Sequence, residues 1–166
     1  MPSSWTYPSI VTQFADSEHH VRWLNVGNDY TQLNQIRTER DLLHISNPTT
    51  NDLRETTYYL LFQGWSWEDL PANILGLEVM VNVKRVGRIM DDTIQLYYNQ
   101  AIGDNKADME ISDQKMFGNS SDLWGYQLTN EILSDSNFGV LLRFKSHPSW
   151  PHKATPNVTH IQIRAW

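Results

Sequence analysis

Gly118–Gly139 reads GNSSDLWGYQLTNEILSDSNFG, and the way it interrupts two strongly alternating segments decides the fold. It opens on a polar turn, passes through Asp122-Leu123-Trp124-Gly125 and closes at Asn137-Phe138-Gly139, where a new strand starts. Thr129 ahead of Asn130-Glu131-Ile132-Leu133 predicts one helical turn, capped by the threonine hydroxyl and ended before Asp135. A buried Trp124 brings a large apolar area and asks for one acceptor for its indole N–H, while Gly125 admits a backbone angle that other residues resist. The stretch reads as an architectural corner rather than a ligand platform. It contains no recognisable nucleophile, acid–base pair or metal site.

On either side of this corner the period is two. Leu77, Val79, Val81 and Val83 alternate with Glu78, Met80, Asn82 and Lys84 within a strand predicted over Ile74–Val86. After a break at Met90-Asp91-Asp92, Ile94, Leu96 and Tyr98 alternate with Thr93, Gln95 and Tyr97. Phe138, Val140, Leu142 and Phe144 form a third series, and Ile161, Ile163 and Ala165 a fourth. Thr56–Gln63 (TTYYLLFQ) is β-branched and aromatic, and Trp65 and Trp67 follow it two residues apart, as if on one strand face. Turns are expected at Leu70–Asn73, Arg85–Arg88, Ile102–Asn105 and Met116–Asn119. Such spacing predicts an all-β antiparallel sandwich with at most one or two short helical turns. Residues 1–166 are expected to form a single domain, with an N-terminal arm of roughly 20 residues ahead of the regular pattern.

Size and composition narrow the function. A chain of 166 residues can remove roughly 70% of its unfolded surface from water. With no cysteine there is no disulfide or thiolate metal site, so burial and partners must supply the stability. The formal charge is −6, and Lys84-Arg85 is the one basic pair that stands out, so no nucleic-acid partner is expected. The first residues lack the basic and long apolar regions of a signal peptide, and no apolar run approaches the roughly 20 residues that span a bilayer. The reading is a protein made in the cytoplasm of the cell that produces it, with no membrane partner.

Candidate chemistry is sparse. Asp104, Asn105 and Asp108 offer oxygens in a turn, but Lys106 interrupts them and a distal glutamate is missing, so no metal is expected. His19-His20 would point to opposite faces of an extended chain, and His147 and His152 flank a proline-stiffened loop. The serines lack a Gly-x-Ser-x-Gly elbow, and Glu68-Asp69 and Asp91-Asp92 are adjacent rather than poised across a cleft. Asn119 and Asn157 head glycan-acceptor tripeptides that nothing else supports. The expectation is no enzyme, no catalytic residue and no cofactor. For Trp65 and Trp67, packing between sheets is favoured over a sugar-stacking role.

Several motifs together resemble a known family. Ile74-Leu75-Gly76-Leu77-Glu78-Val79 is similar to an I-x-G-I-x-V strand opening, and Gly103-Asp104-Asn105-Lys106-Ala107 to a G-D-N-K-A turn. Ser121-Asp122-Leu123-Trp124-Gly125 matches an S-D-L-W-G connector, Asn137-Phe138-Gly139-Val140 an N-F-G-V strand start, and Val158–Ile163 a closing strand. With these, the chain from about Thr56 onward resembles the β-sandwich (jelly-roll) structural domains of tailed bacteriophages, found in capsid decoration (cement) proteins and in tail-fibre and other virion proteins. Gly76, Asp122, Trp124, Gly125, Phe138 and Gly139 are the residues that carry this structural motif. The chain departs from the family at Trp65-Ser66-Trp67 and in the long, proline-rich Ser146–Pro156 segment.

The resemblance implies a virion structural protein, and the leading expectation is one on the capsid exterior, bound to the major capsid protein across capsomer joints and self-associated as a dimer or trimer. Proline-fixed aromatics lose little ordering entropy on docking, which nominates Trp5, Tyr7, Pro8, Trp150 and Pro151 as partner contacts, with Trp5 equally readable as folding back on the sandwich. The alternative is a tail-fibre or tail-tip module that recognises host surface glycan. No heptads of a fibre coiled coil are present to favour it.

Overall fold

Alternating apolar residues can pair every backbone group and hide one face by forming an antiparallel sheet laid upon a second sheet. That is how this chain folds. The computed structural model describes residues 1–15, 20–24, 26, 36–38, 56–108, 110–111, 113–147 and 154–166. Its strands are, in chain order, β1 (Ile10–Phe14), β2 (His20–Val21), β3 (Trp23–Leu24), β4 (Ile36–Thr38), β5 (Thr56–Thr57) and β6 (Tyr59–Gln63). They continue with β7 (Leu77–Val86), β8 (Ile89–Tyr98), β9 (Ala101–Ile102), β10 (Asp113–Gly118), β11 (Phe138–Ser146) and β12 (Thr155–Ala165). One short helix, α1 (Asn130–Ser134), precedes β11; the Thr129 hydroxyl accepts from the Ile132 N–H at 3.3 Å, as the sequence predicted.

Strand order identifies a jelly roll. One layer runs β10-β7-β12-β4-β3, and the other places β11 between β6 and β8, with β1 outside β6 and β9 outside β8. The order β4-β12-β7-β10 against β6-β11-β8-β9 is the double Greek key of that architecture. Between the layers sit Leu77, Val79, Val81 and Val83 of β7 and Ile161, Ile163 and Ala165 of β12. Leu60 and Phe62 of β6 and Phe138, Val140, Leu142 and Phe144 of β11 meet them from the other side. The period-two reading grouped those of β7, β11 and β12 on one face.

Two expectations need correction. The break at Met90-Asp91-Asp92 lies inside β8, where Arg143 pairs with Thr93 but Phe144 pairs with Asp91. The extra residue, Asp92, is a bulge that shifts the phase, so Ile89 and Asp91 face inward before it and Ile94 and Leu96 after it. Asp91 is thereby buried, accepting the Asp108 N–H at 3.1 Å with Lys115 Nζ at 3.5 Å. Trp65 and Trp67 do not share a strand face either, because β6 ends at Gln63. Both pack against the core from the following loop, and the Trp67 indole donates to the Leu133 carbonyl at 2.7 Å.

The Asp122–Gly125 corner ties three segments together. Trp124 is fully buried, its indole N–H donates to the Leu77 carbonyl at 2.9 Å, and its own carbonyl accepts from the Asp104 N–H at 2.7 Å. Asp122 accepts the Trp124 N–H at 2.8 Å and Lys106 Nζ at 2.7 Å, and its carbonyl takes the Leu77 N–H at 3.0 Å. Gly125 adopts φ +68°, and a β-carbon there would press within 2.7 Å of the Asp104 carboxylate. At Gly76 a β-carbon would lie 2.6 Å from the Ser121 nitrogen and closer still to the Asn119 carbonyl oxygen. Phe138 and Gly139 begin β11 in the interior, and a β-carbon at Gly139 would meet the Phe62 carbonyl at 2.7 Å.

The same contacts set the response to pH. Burial opposes ionisation of Asp122, but the Lys106 hydrogen bond, the Trp124 N–H and the Lys106 charge outweigh it and hold the carboxyl below its ordinary value. Arg88, hydrogen-bonded at 2.8 Å, lowers Glu110 against the cost of desolvation, helped by the charges of Arg88, Arg85 and His147. Folded values below unfolded ones contribute stability above the unfolded carboxyl range, and this is lost as pH falls through the folded values. Thermal unfolding should therefore be insensitive to pH from about 5 to 8 and move to lower temperature below about pH 4. Asp122→Asn should flatten part of that acid limb. Tyr98 has the opposite sign: its hydrogen bond to Asp135 (3.1 Å), then burial and the neighbouring charges of Asp135 and Tyr126, raise it. Its contribution is present below the unfolded tyrosine value and lost as pH rises through the folded one.

Candidate partner interface

The N-terminal stretch, expected as an arm, is hydrogen-bonded into both layers. The Ser3 N–H donates to the Ala165 carbonyl at 2.7 Å, and Thr6 exchanges backbone hydrogen bonds with Ile163 at 2.8 and 3.0 Å. Beyond Pro8 the chain crosses over, the Ser9 N–H reaching the Gln63 carbonyl at 3.0 Å before β1 pairs with β6. Asp69 accepts the Ser4 N–H at 2.7 Å and hydroxyl at 3.1 Å, and the Thr6 hydroxyl donates to the Ser66 carbonyl at 2.6 Å.

Because residues 3–6 run as an extended edge beside β12, Trp5 and Tyr7 project to one side and Thr6 to the other. Thr6 is buried, and the two rings lie against outward-facing residues of β12. Arg164 stacks between two indoles, its guanidinium carbon 4.5 Å from the Trp5 ring centre and 5.1 Å from that of Trp166. Glu78 pairs with Arg164 and accepts the Trp166 indole N–H at 3.0 Å. Tyr7 stands edge-on to His160, with ring centres 5.2 Å apart, and keeps 42% of its surface in solvent. Beside them opens a cleft of about 300 Å³ lined by Ser4, Trp5, Thr6, Tyr7, Ser66 and Glu68.

The nominated contacts thus divide. Tyr7 is exposed and Trp5 half-buried, both on one rigid edge. Pro8 is buried where the chain crosses between layers. Trp150 and Pro151 lie outside the described residues, as do His19 and His152. Sequence reasoning missed Arg164, Glu78 and Trp166, which hold Trp5 in place. Their role depends on β12 and β7 pairing Arg164 with Glu78.

Other polar groups are engaged in holding turns. Asn105 Oδ1 accepts the N–H groups of Ile94 and Ala107 at 3.0 and 3.1 Å, and Asp108 pairs with Lys115 at 2.7 Å. His147 lies 3.6 Å from Glu110, within the Arg85–Arg88–Glu110 cluster. Among the described residues no group of three or more His, Cys, Asp or Glu side chains could hold a metal ion, and no helix is long and apolar enough to cross a membrane. Comparison with protein-family models, curated proteins and solved structures finds no match to this chain.

Proposed function

We propose that this chain is a structural protein of a bacteriophage particle, a decoration (cement) protein that binds the major capsid protein on the shell exterior and bridges capsomer joints. The observation that supports this reading is the rigid aromatic edge. The neighbours of Trp5 and Tyr7 (Ser3, Thr6 and Ser9) hydrogen-bond to both sheets, and the two rings lie beside a cleft of about 300 Å³. An anchor ordered in advance loses little entropy on docking, and aromatic residues in such positions commonly dominate an interface. A joint of roughly 1,000–2,000 Å² per copy would be built around it, and a second contact per copy or self-association would multiply its hold. The jelly roll suits the role but does not by itself specify it, since the architecture serves capsid and lectin domains alike.

Quantitative mass spectrometry of purified virions tests the reading. Decoration requires copies in proportion to capsomers, comparable with the major capsid protein. Tyr7→Ala should reduce that occupancy by about tenfold or more without lowering the melting temperature. A copy number matching a tail device, or absence from the particle, would overturn the assignment.

A further inference from the structure

The opposite face of the molecule carries a second cleft, which the interface above does not use. On the outer surface of the β1-β6-β11-β8 sheet, pairing aligns three rows of side chains across the strands. Phe14 lies opposite Tyr59, and Arg143 opposite Thr93. Thr12, Leu61, Leu141 and Gln95 form the second row; Ile10, Gln63, Gly139, Tyr97 and Ala101 form the third. The first row is a wall: Phe14 and Tyr59 stack with centres 5.1 Å apart, and the Arg143 guanidinium lies 4.2 Å from the Tyr59 ring centre. Tyr97 forms the facing wall. Leu141 is the floor, with Leu61 paired beside it, on a face that a sandwich normally gives to water, yet the two are only 3% and 7% exposed. Gly139 keeps the third row low beside the floor, where Gln63 and Leu61 occupy the room a β-carbon would need.

The resulting groove measures about 230 Å³ and is open to solvent. We infer that it is a binding site for one ring of a neutral glycan. Its chemistry favours that ligand over others. Aromatic rings and a leucine floor match the C–H faces of a pyranose, and the polar groups stand at the rim. Gln95 gives its N–H to the Gly103 carbonyl at 2.9 Å, which leaves its Oε1 to accept from a sugar hydroxyl. Among the described residues none of the side chains lining the groove is charged, and Arg143 at its margin pairs with Asp92 at 2.6 Å, so the lining presents no formal charge to a phosphate, a sulfated polymer or a basic peptide. The volume lies below the roughly 300–1,000 Å³ of sites that enclose drug-sized ligands, which fits a single ring with the remaining sugars passing over the sheet. This inference does not depend on the capsid reading, because the groove and the Trp5–Tyr7 edge lie on opposite layers.

The test is titration of the isolated full chain with neutral oligosaccharides (cello-, malto-, xylo-, manno- and N-acetylchito-pentaose), followed by aromatic NMR shifts. At least one should bind saturably in the micromolar to millimolar range and perturb Tyr97 and Phe14. Tyr97→Ala should weaken binding by about threefold to tenfold. Ala101→Trp, at an exposed position that projects bulk over the groove, should abolish it while melting like the parent. Trp5→Ala should leave it unchanged. The inference is overturned if no sugar in the set binds saturably, if an apolar peptide shifts the groove residues and no sugar does, or if binding survives Ala101→Trp. Loss of glycan binding would leave the copy number in virions untouched, so the two readings fail separately.

Discussion

Trp124→Ala is expected to destabilise the fold by about 3–5 kcal/mol, the usual cost of emptying a fully buried aromatic site. For a chain of this length that corresponds to a fall in Tm of about 10–15 °C. Packing accounts for most of it, because Trp124 has no exposed surface and fills the space where the Gly103–Lys106 turn meets the start of β7. Lys106 adds to the loss, its ammonium lying 5.5 Å from the indole centre while it pairs with Asp122. Trp124→Phe separates the contributions: much of the volume remains, but the Leu77 carbonyl loses its indole donor, at a cost of about 1–3 kcal/mol. Thermal or urea unfolding of both variants checks the order. Equal, small losses would mean that the corner is not a keystone.

Gly76→Ala should have the second-largest effect, although it adds one methyl group. The added carbon would collide with backbone atoms of Asn119, Ser120 and Ser121, none of which can rotate away as a side chain would. Moving that loop strains the Leu77 N–H to Asp122 carbonyl bond at 3.0 Å, and moving Gly76 strains the Trp166 N–H to Gly76 carbonyl bond at 2.8 Å. A cost of about 1–3 kcal/mol or more is expected, in the range of overpacked sites. Leu75→Ala is the control, since Leu75 is 64% exposed and its loss should change stability by less than about 0.5 kcal/mol. If the two variants melt together, the close approach of the loop to Gly76 is not a constraint on the fold.

Trp124 was legible in the sequence because a tryptophan beside a glycine in a turn announces a corner before any partner strand is known. Gly76 was marked only by the resemblance of its motif, because the loop that constrains it, Asn119–Ser121, lies far along the chain. The buried faces of β7, β11 and β12 were legible for a related reason: a strand covered on one side repeats every two residues. What stayed hidden depends on lateral pairing. The bulge at Asp92 changes which residues face inward, and only the register of β8 against β11 reveals it. Pro8 and Tyr7 are neighbours with opposite fates, one buried at the crossover and one exposed, because residues 3–6 pair with β12 and β1 with β6. The groove is the extreme case. Phe14, Tyr59, Tyr97 and Leu141 come from four strands far apart in the chain, and nothing in any one strand marks them as a set.

The binding reading is tested most directly by a density map of the phage particle to which it assigns this chain. The account predicts jelly rolls seated on the outer shell at capsomer joints, with the Trp5–Tyr7 edge against the major capsid protein and the Phe14–Tyr97 groove facing solvent. A shell bare of this protein, or jelly rolls held only in the tail or with the Trp5–Tyr7 edge turned away from every neighbour, would contradict it.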